Sequence, residues 1–222
     1  MKYSAKGVPP QSFVDWMALA SPDWTPTYRD LRRPQSEDVR DALLAEQTYV
    51  CCYCGRGLNP DRSDSHTDHF RPQKHYSAKT GNDLTLDYGN FLASCGPPKV
   101  KAMPSTCGDA KGSVFDEAAH VAPWDPGCER RFFYGLAGEV TADPAGDAGA
   151  EKMIEMLNLN DASLVDDRAK LLAGLETLID SGEIAADAVD EEIDRWRSSD
   201  NGRRKSFSHV AVRYLEVEFG LP

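Results

Sequence analysis

The sequence predicts an α+β protein in which a small, loop-rich, cysteine-held module sits between two mainly helical flanks. Three observations predict it. Cys51, Cys54, Cys95 and Cys107 bracket a polar segment with few core residues of its own. Within that segment the pattern breaks into short pieces at Asn59-Pro60, Gly81-Asn82 and Gly96-Pro97-Pro98, which suits short strands and loops rather than long helices. Outside it, apolar residues recur at helical spacing. The division that follows is an arm and helix over 1–48, the central module over 49–125, and an acidic, mainly helical region over 126–222.

Residues 1–35 are rich in proline and aromatic residues and read as an irregular arm with about one helical turn around Phe13–Met17. Ser36 is the expected N-cap of a helix in which Glu37 and Asp38 occupy the first turn, with Val39, Leu43 and Leu44 on one face. That helix runs to about Gln47 and feeds into Cys51. After the module, Arg130–Val140 carries the aromatic and glycine signals of a hairpin, and Asp143–Asp147 a loop. Helices are expected over Lys152–Leu159, from Asp161 or Ser163 to Ser181-Gly182, over Ile184–Trp196 and over Phe207–Phe219. The second of these has a stripe of Leu164, Arg168, Leu171, Leu172, Leu175, Leu178 and Ile179.

The 222 residues carry a formal charge of -11, divided -1, -1 and -9 over the three segments. A protein that grips nucleic acid alone shows a basic face, because phosphate neutralisation dominates such affinity. The balance therefore points to a partner that supplies part of the grip. No secretory signal is seen at the start and no apolar run spans a bilayer, so a cytoplasmic protein without membrane contact is expected. Thiols stay reduced there, and the six cysteines read as ligands or buried thiols.

Zinc prefers four tetrahedral soft donors. Cys51 and Cys54 form a knuckle whose tight turn lets both sulfurs face one ion, and Cys95 and Cys107 complete the set. Cys52 and Cys128 are left as non-ligands. A single mixed histidine–cysteine site is the alternative, and a redox Cys-x-x-Cys lacks its βαβ setting.

A second chemistry lies inside the same segment. Phosphodiester hydrolysis needs a base near neutrality, which His69 supplies, and a hard divalent ion, which Asp68 and Asp109 match as Mg²⁺ or Mn²⁺ ligands. A bend after Asp68-His69, helped by Pro72, would bring both side chains to one site. Asn90 is suited to orient the histidine ring. Arg71 and Lys111 are natural phosphate contacts, and His66 takes a supporting role.

The ordered motifs Cys-x-Tyr-Cys-Gly (52–55 with its preceding Cys51), Asp68-His69-Phe70-Arg71-Pro72, Leu86-Asp87-Tyr88-Gly89-Asn90-Phe91-Leu92-Ala93-Ser94-Cys95 and Cys107-Gly108-Asp109-Ala110-Lys111-Gly112 resemble the HNH (ββα-metal) nucleases with a zinc knuckle. The resemblance is nearest to the PtuB-like HNH subunit of Septu and retron-associated anti-phage systems. It extends over Thr27–Leu31, Leu44–Gln47, Pro123–Asp125, Cys128–Phe132 and Met156–Asn160. It implies that His69 is the general base, that Asp68 and Asp109 hold the catalytic metal, and that a PtuA-like ABC/SMC-type ATPase is the partner. Asp109 stands where the family often has His or Asn, and Gly108 where many members carry Asn. The expected function is DNA endonuclease activity in anti-phage defence. Its rivals are an RNA-directed nuclease and a non-catalytic zinc-stapled adaptor; a homo-oligomer is compatible with either.

Overall fold

The computed structural model describes residues 1–96 and 106–221, so Pro97 and Pro98 of the expected turn lie outside the described residues. Among those residues the chain is α+β, with seven α-helices and two small antiparallel sheets of two strands each. No helix among them is long and apolar enough to cross a membrane.

The arm contains helix α1 (Gln11–Met17), whose Phe13 is buried, and leads into α2 (Gln35–Glu46). Ser36 does not cap α2. Pro34 takes the cap position, and its carbonyl accepts from the amides of Glu37 at 2.9 Å and Asp38 at 3.1 Å, which places Ser36 in the first turn. Val39, Leu43 and Leu44 are buried as their spacing requires. Gln47 then stops the helix and turns its amide inward. Its Oε1 accepts from Ala93 N and its Nε2 donates to Ala93 O, both at 2.7 Å, so a side chain completes the edge of a strand.

The central sheet pairs β1 (Ser65–His69) with β2 (Phe91–Cys95) in antiparallel register, with Ser65 opposite Cys95 and His69 opposite Phe91. The short helix α3 (Cys107–Lys111) packs on β2. The second sheet pairs β3 (Phe132–Tyr134) with β4 (Val140–Ala142). This is the expected hairpin, shifted: Arg130 and Arg131 belong to the 3-10 turn before it, and the return strand begins where the expected element ended.

Helix α4 (Ala148–Met156) starts four residues before Lys152, because the Asp147 carboxylate accepts from Ala150 N at 3.0 Å and caps it there. Asp161, rather than Ser163, caps α5 (Ala162–Asp180), accepting from Ser163 N at 2.9 Å. Leu164, Leu172 and Leu175 of its stripe are buried, and so is Arg168. The Arg168 guanidinium donates to the carbonyls of Gly138 at 2.6 Å and Leu159 at 2.8 Å, which offsets the cost of burying it. Helices α6 (Val189–Arg197) and α7 (Ser208–Glu218) close the chain, α6 beginning five residues after Ile184. One hydrophobic cluster joins Met1, Leu43, Phe91, Cys107, Leu164 and Leu215, and so crosses all three segments.

Candidate metal centre and the sites around it

A tight turn brings the first two thiols together. Cys51 N donates to Arg56 O at 2.8 Å, Gly55 N donates to Cys51 O at 2.9 Å, and Gly55 takes φ +79° to let the chain reverse. β2 delivers Cys95, whose amide donates to Cys51 Sγ at 3.3 Å. Cys107 enters from the start of α3 with φ +57°, its amide held by Leu157 O at 2.8 Å. The sulfur atoms of Cys51, Cys54, Cys95 and Cys107 all lie within 4.8 Å of one another, and all four residues are buried. Among the described residues this is the one group of potential ligands so gathered.

These four residues could hold a metal ion, and zinc fits the set. Zn–S bonds of about 2.3 Å in a tetrahedron place sulfurs about 3.8 Å apart, and Cys54 Sγ lies 3.6 Å from Cys95 Sγ. Burial opposes ionisation of Cys51, but the sulfhydryls of Cys107, Cys52, Cys54 and Cys95 around it bring its pKa well below the usual thiol value. One thiolate is therefore favoured inside the cluster, at Cys51, while its sulfhydryl partners Cys95 and Cys107 are held well above the usual thiol value. Cys52, next to Cys51 but outside the four, is pushed up by burial, and Cys128 is pushed up to about 12 by the same cause. The mixed histidine–cysteine alternative is not what the geometry assembles, since no histidine joins the set.

The residues expected to do hydrolytic chemistry are divided between the two faces of β1. Its pairing is regular through His69, so the bend that would unite Asp68 and His69 is not formed, and the two side chains meet different neighbours. Asp68 is buried. Its Oδ2 accepts from Tyr53 Oη at 2.6 Å and lies 3.1 Å from Lys111 Nζ. Lys111 is 1% exposed and also donates to His69 O at 2.6 Å, so it is a buried strut and not the phosphate contact its loop-like sequence setting suggested. Replacing it should show this directly. Lys111→Met leaves a buried carboxylate with Tyr53 as its remaining partner, and urea unfolding should register a loss of about 3–5 kcal/mol. A loss below about 1 kcal/mol, the range of an exposed pair, would refute the strut.

On that same face, His66, Asp68 and Ser94 converge on Gly108. A Cβ there would lie 2.8 Å from His66 Nε2, 3.0 Å from Asp68 Cγ and 3.0 Å from Ser94 Oγ. His66 Nδ1 lies 3.3 Å from the Gly96 carbonyl, and its Nε2 lies 3.7 Å from Asp109 Oδ1. Asp109 is largely exposed.

His69 occupies the opposite environment. Its ring stands edge-on to Tyr28, with centroids 4.5 Å apart, and to Phe91 at 4.8 Å. Nε2 is 3.0 Å from Thr85 O, a group that only accepts, so Nε2 carries the proton and Nδ1 accepts from Gln73 Nε2 at 3.3 Å. Burial lowers its pKa and keeps the ring neutral. Asn90 does not touch it. The Asn90 amide instead accepts from Arg71 N at 2.8 Å and donates to Arg71 O at 2.9 Å and Leu84 O at 3.2 Å, which pins the segments on either side of the histidine. Arg71 is engaged by Glu117 at 2.9 Å.

No protein-family model and no curated protein matches this chain. The reading of the site therefore rests on its geometry and on the motifs in the sequence. Sequence reasoning passed over Thr85, Tyr28 and Tyr53. Thr85 acts through a main-chain carbonyl, which no side-chain pattern signals, and Tyr28 lies in the arm, far along the chain from the histidine it covers.

Proposed function

We propose that the chain is a zinc-stapled endonuclease of HNH type that hydrolyses DNA phosphodiester bonds, working with an ATPase partner of the PtuA-like kind in anti-phage defence. The observation that carries this reading is the β1–β2–α3 order closed by four thiols, with Asp68 and Asp109 on one side of the sheet and His69 at the end of β1 on the other. The donor chemistry there suits a hard divalent ion. The bonds that Tyr53 and Lys111 make to Asp68 fall on Oδ2, an arrangement that orients a ligating carboxylate from behind. Asp68 and Asp109 would hold Mg²⁺ or Mn²⁺, with His66 beside them. When bound, the ion would neutralise charge on the phosphoryl oxygens.

The chain's own contribution is proton handling at His69. Thr85 O holds the Nε2 proton in place and leaves Nδ1 as the basic atom, and the lowered pKa keeps it unprotonated at neutral pH. His69→Ala should abolish plasmid nicking in Mg²⁺ or Mn²⁺ while zinc content stays near wild type. Full nicking by that variant would remove the enzyme reading.

Two observations favour a second reading, a zinc-stapled adaptor without catalysis. His69 is packed between Tyr28 and Phe91 on the face of β1 away from Asp68, and among the described residues His66, Asp68 and Asp109 are not gathered to the ligand spacing of the thiols. Zinc-loaded protein that never cuts DNA or RNA, even with its ATPase partner present, would establish that alternative.

A further inference from the structure

The arm, α2 and β1 line an open groove of 470 Å³ whose lining includes Tyr28, Arg29, Arg32, Arg40, His66 and Thr67 and no aspartate or glutamate. That volume is within the range of ligand sites. Its charge is unusual for this chain. Acidic residues outnumber basic ones 36 to 25, and Arg56, Arg71, Arg131 and Arg213 are each spent on a carboxylate. Arg29 and Arg32 are exposed, and no contact of either guanidinium with another group is formed among the described residues. Arg40 is half-buried and fixed by two main-chain carbonyls, Arg62 O and Ser65 O, each 2.6 Å from Nη2. The acid between the two exposed arginines is held by its own turn, Asp30 Oδ2 accepting from Thr27 N at 3.0 Å and Thr27 Oγ1 at 2.6 Å, and it reaches Arg32 only as a nearby charge without a hydrogen bond. Three arginines with no carboxylate within ion-pair distance among the described residues thus line one concave space, and His66, which also lines it, lies beside Asp109.

We infer that this groove binds the phosphodiester backbone of a single nucleic-acid strand, gripped by Arg29, Arg32 and Arg40, with Tyr28 offering an aromatic surface to a base. The inference rests on the nuclease reading and deepens it by moving the phosphate grip from the module to the arm. Arg71 is committed to Glu117 and Lys111 is buried, so neither expected contact is available to do that work. A single strand is favoured because a basic groove beside an aromatic ring tracks a backbone and stacks unpaired bases. The groove is also concave and small, where a duplex presents a broad convex face.

The test is fluorescence anisotropy without added divalent metal, using a short labelled single-stranded DNA, the RNA of the same sequence and the DNA duplex. Wild type should bind a single strand more tightly than the duplex. Arg29→Ala/Arg32→Ala should weaken that binding at least about tenfold and make the slope of log K against log[salt] shallower by about 1.4, the value for two phosphate contacts on a single strand. Tyr28→Leu should weaken it by about 5-fold or more, and Arg195→Ala, on exposed α6, should leave it unchanged. Thermal melting checks that the exposed arginine variants fold. Whichever of DNA and RNA binds more tightly identifies the sugar, and either supports the groove. Unchanged affinity and slope in the double variant, preference for duplex, or no binding by wild type would overturn it. Failure to cut with binding intact would count against the nuclease reading and leave the groove standing.

Discussion

Cys107→Ser is expected to empty the thiol cluster and unfold the centre of the protein. The magnitude follows from comparing two free energies. A structural zinc site of this kind contributes about 10–16 kcal/mol of binding, and a domain of ordinary size is stable by about 5–15 kcal/mol in total. Loss of the ion therefore removes as much as the whole fold has to spare. Metal analysis should find about one zinc per chain in wild type and close to none in the variant. Near-ultraviolet circular dichroism should lose its fine structure, since Tyr53 and Phe91 share one buried core with the four thiols. Cys52→Ser and Cys128→Ser should keep the zinc, because neither sulfur belongs to the four. Chelation that strips the metal and leaves the melting curve unmoved would mean that the thiols are plain core residues.

The second large effect is expected at Gly55, which follows the knuckle. Two costs coincide there. Its φ of +79° strains any residue that carries a Cβ, at about 1–2 kcal/mol. That Cβ would also lie 2.3 Å from His209 Cε1 and 2.6 Å from Nδ1, and relieving such overlap costs about 1–3 kcal/mol more. Gly55→Ala should therefore lose about 2–5 kcal/mol in denaturant titration. The two costs separate in a double-mutant cycle with His209→Ala, which should recover the overlap portion as a coupling energy of about 1–3 kcal/mol and leave the backbone portion. Strict additivity would show that α7 does not bear on the knuckle.

Both expectations rest on residues of very different legibility. The thiols could be read from spacing, because zinc chemistry restricts both the donor type and the turn that joins Cys51 to Cys54. Helix α5 was equally plain, since Asp161 or Ser163 marks its start and the leucines keep a helical period. His209 gave no such signal. A histidine in an amphipathic helix carries no mark of the neighbour it will meet, and Gly55 is 154 positions away. The same limit explains Lys111 and Tyr28. Lys111 sits in a stretch that reads as solvent-facing, and only the folded register of β1 puts Asp68 in its reach. The start of α4 shifted to Asp147 because cap chemistry decided that boundary and periodicity did not, whereas α2 begins after Pro34 without a side-chain cap. Asp68 and His69 were expected to meet at a bend, and a regular strand kept them apart.

The position of α7 also has a consequence for how the protein is made. All four thiols have been synthesised by residue 107, whereas the wall behind the knuckle, Phe207 N on Gly55 O at 2.7 Å and the His209 ring beside it, comes a hundred residues later. During translation the cluster therefore exists for a time without its cover. A metal taken up then is exposed to exchange with cellular thiols, and the later-made α7 is the helix that ends that exposure.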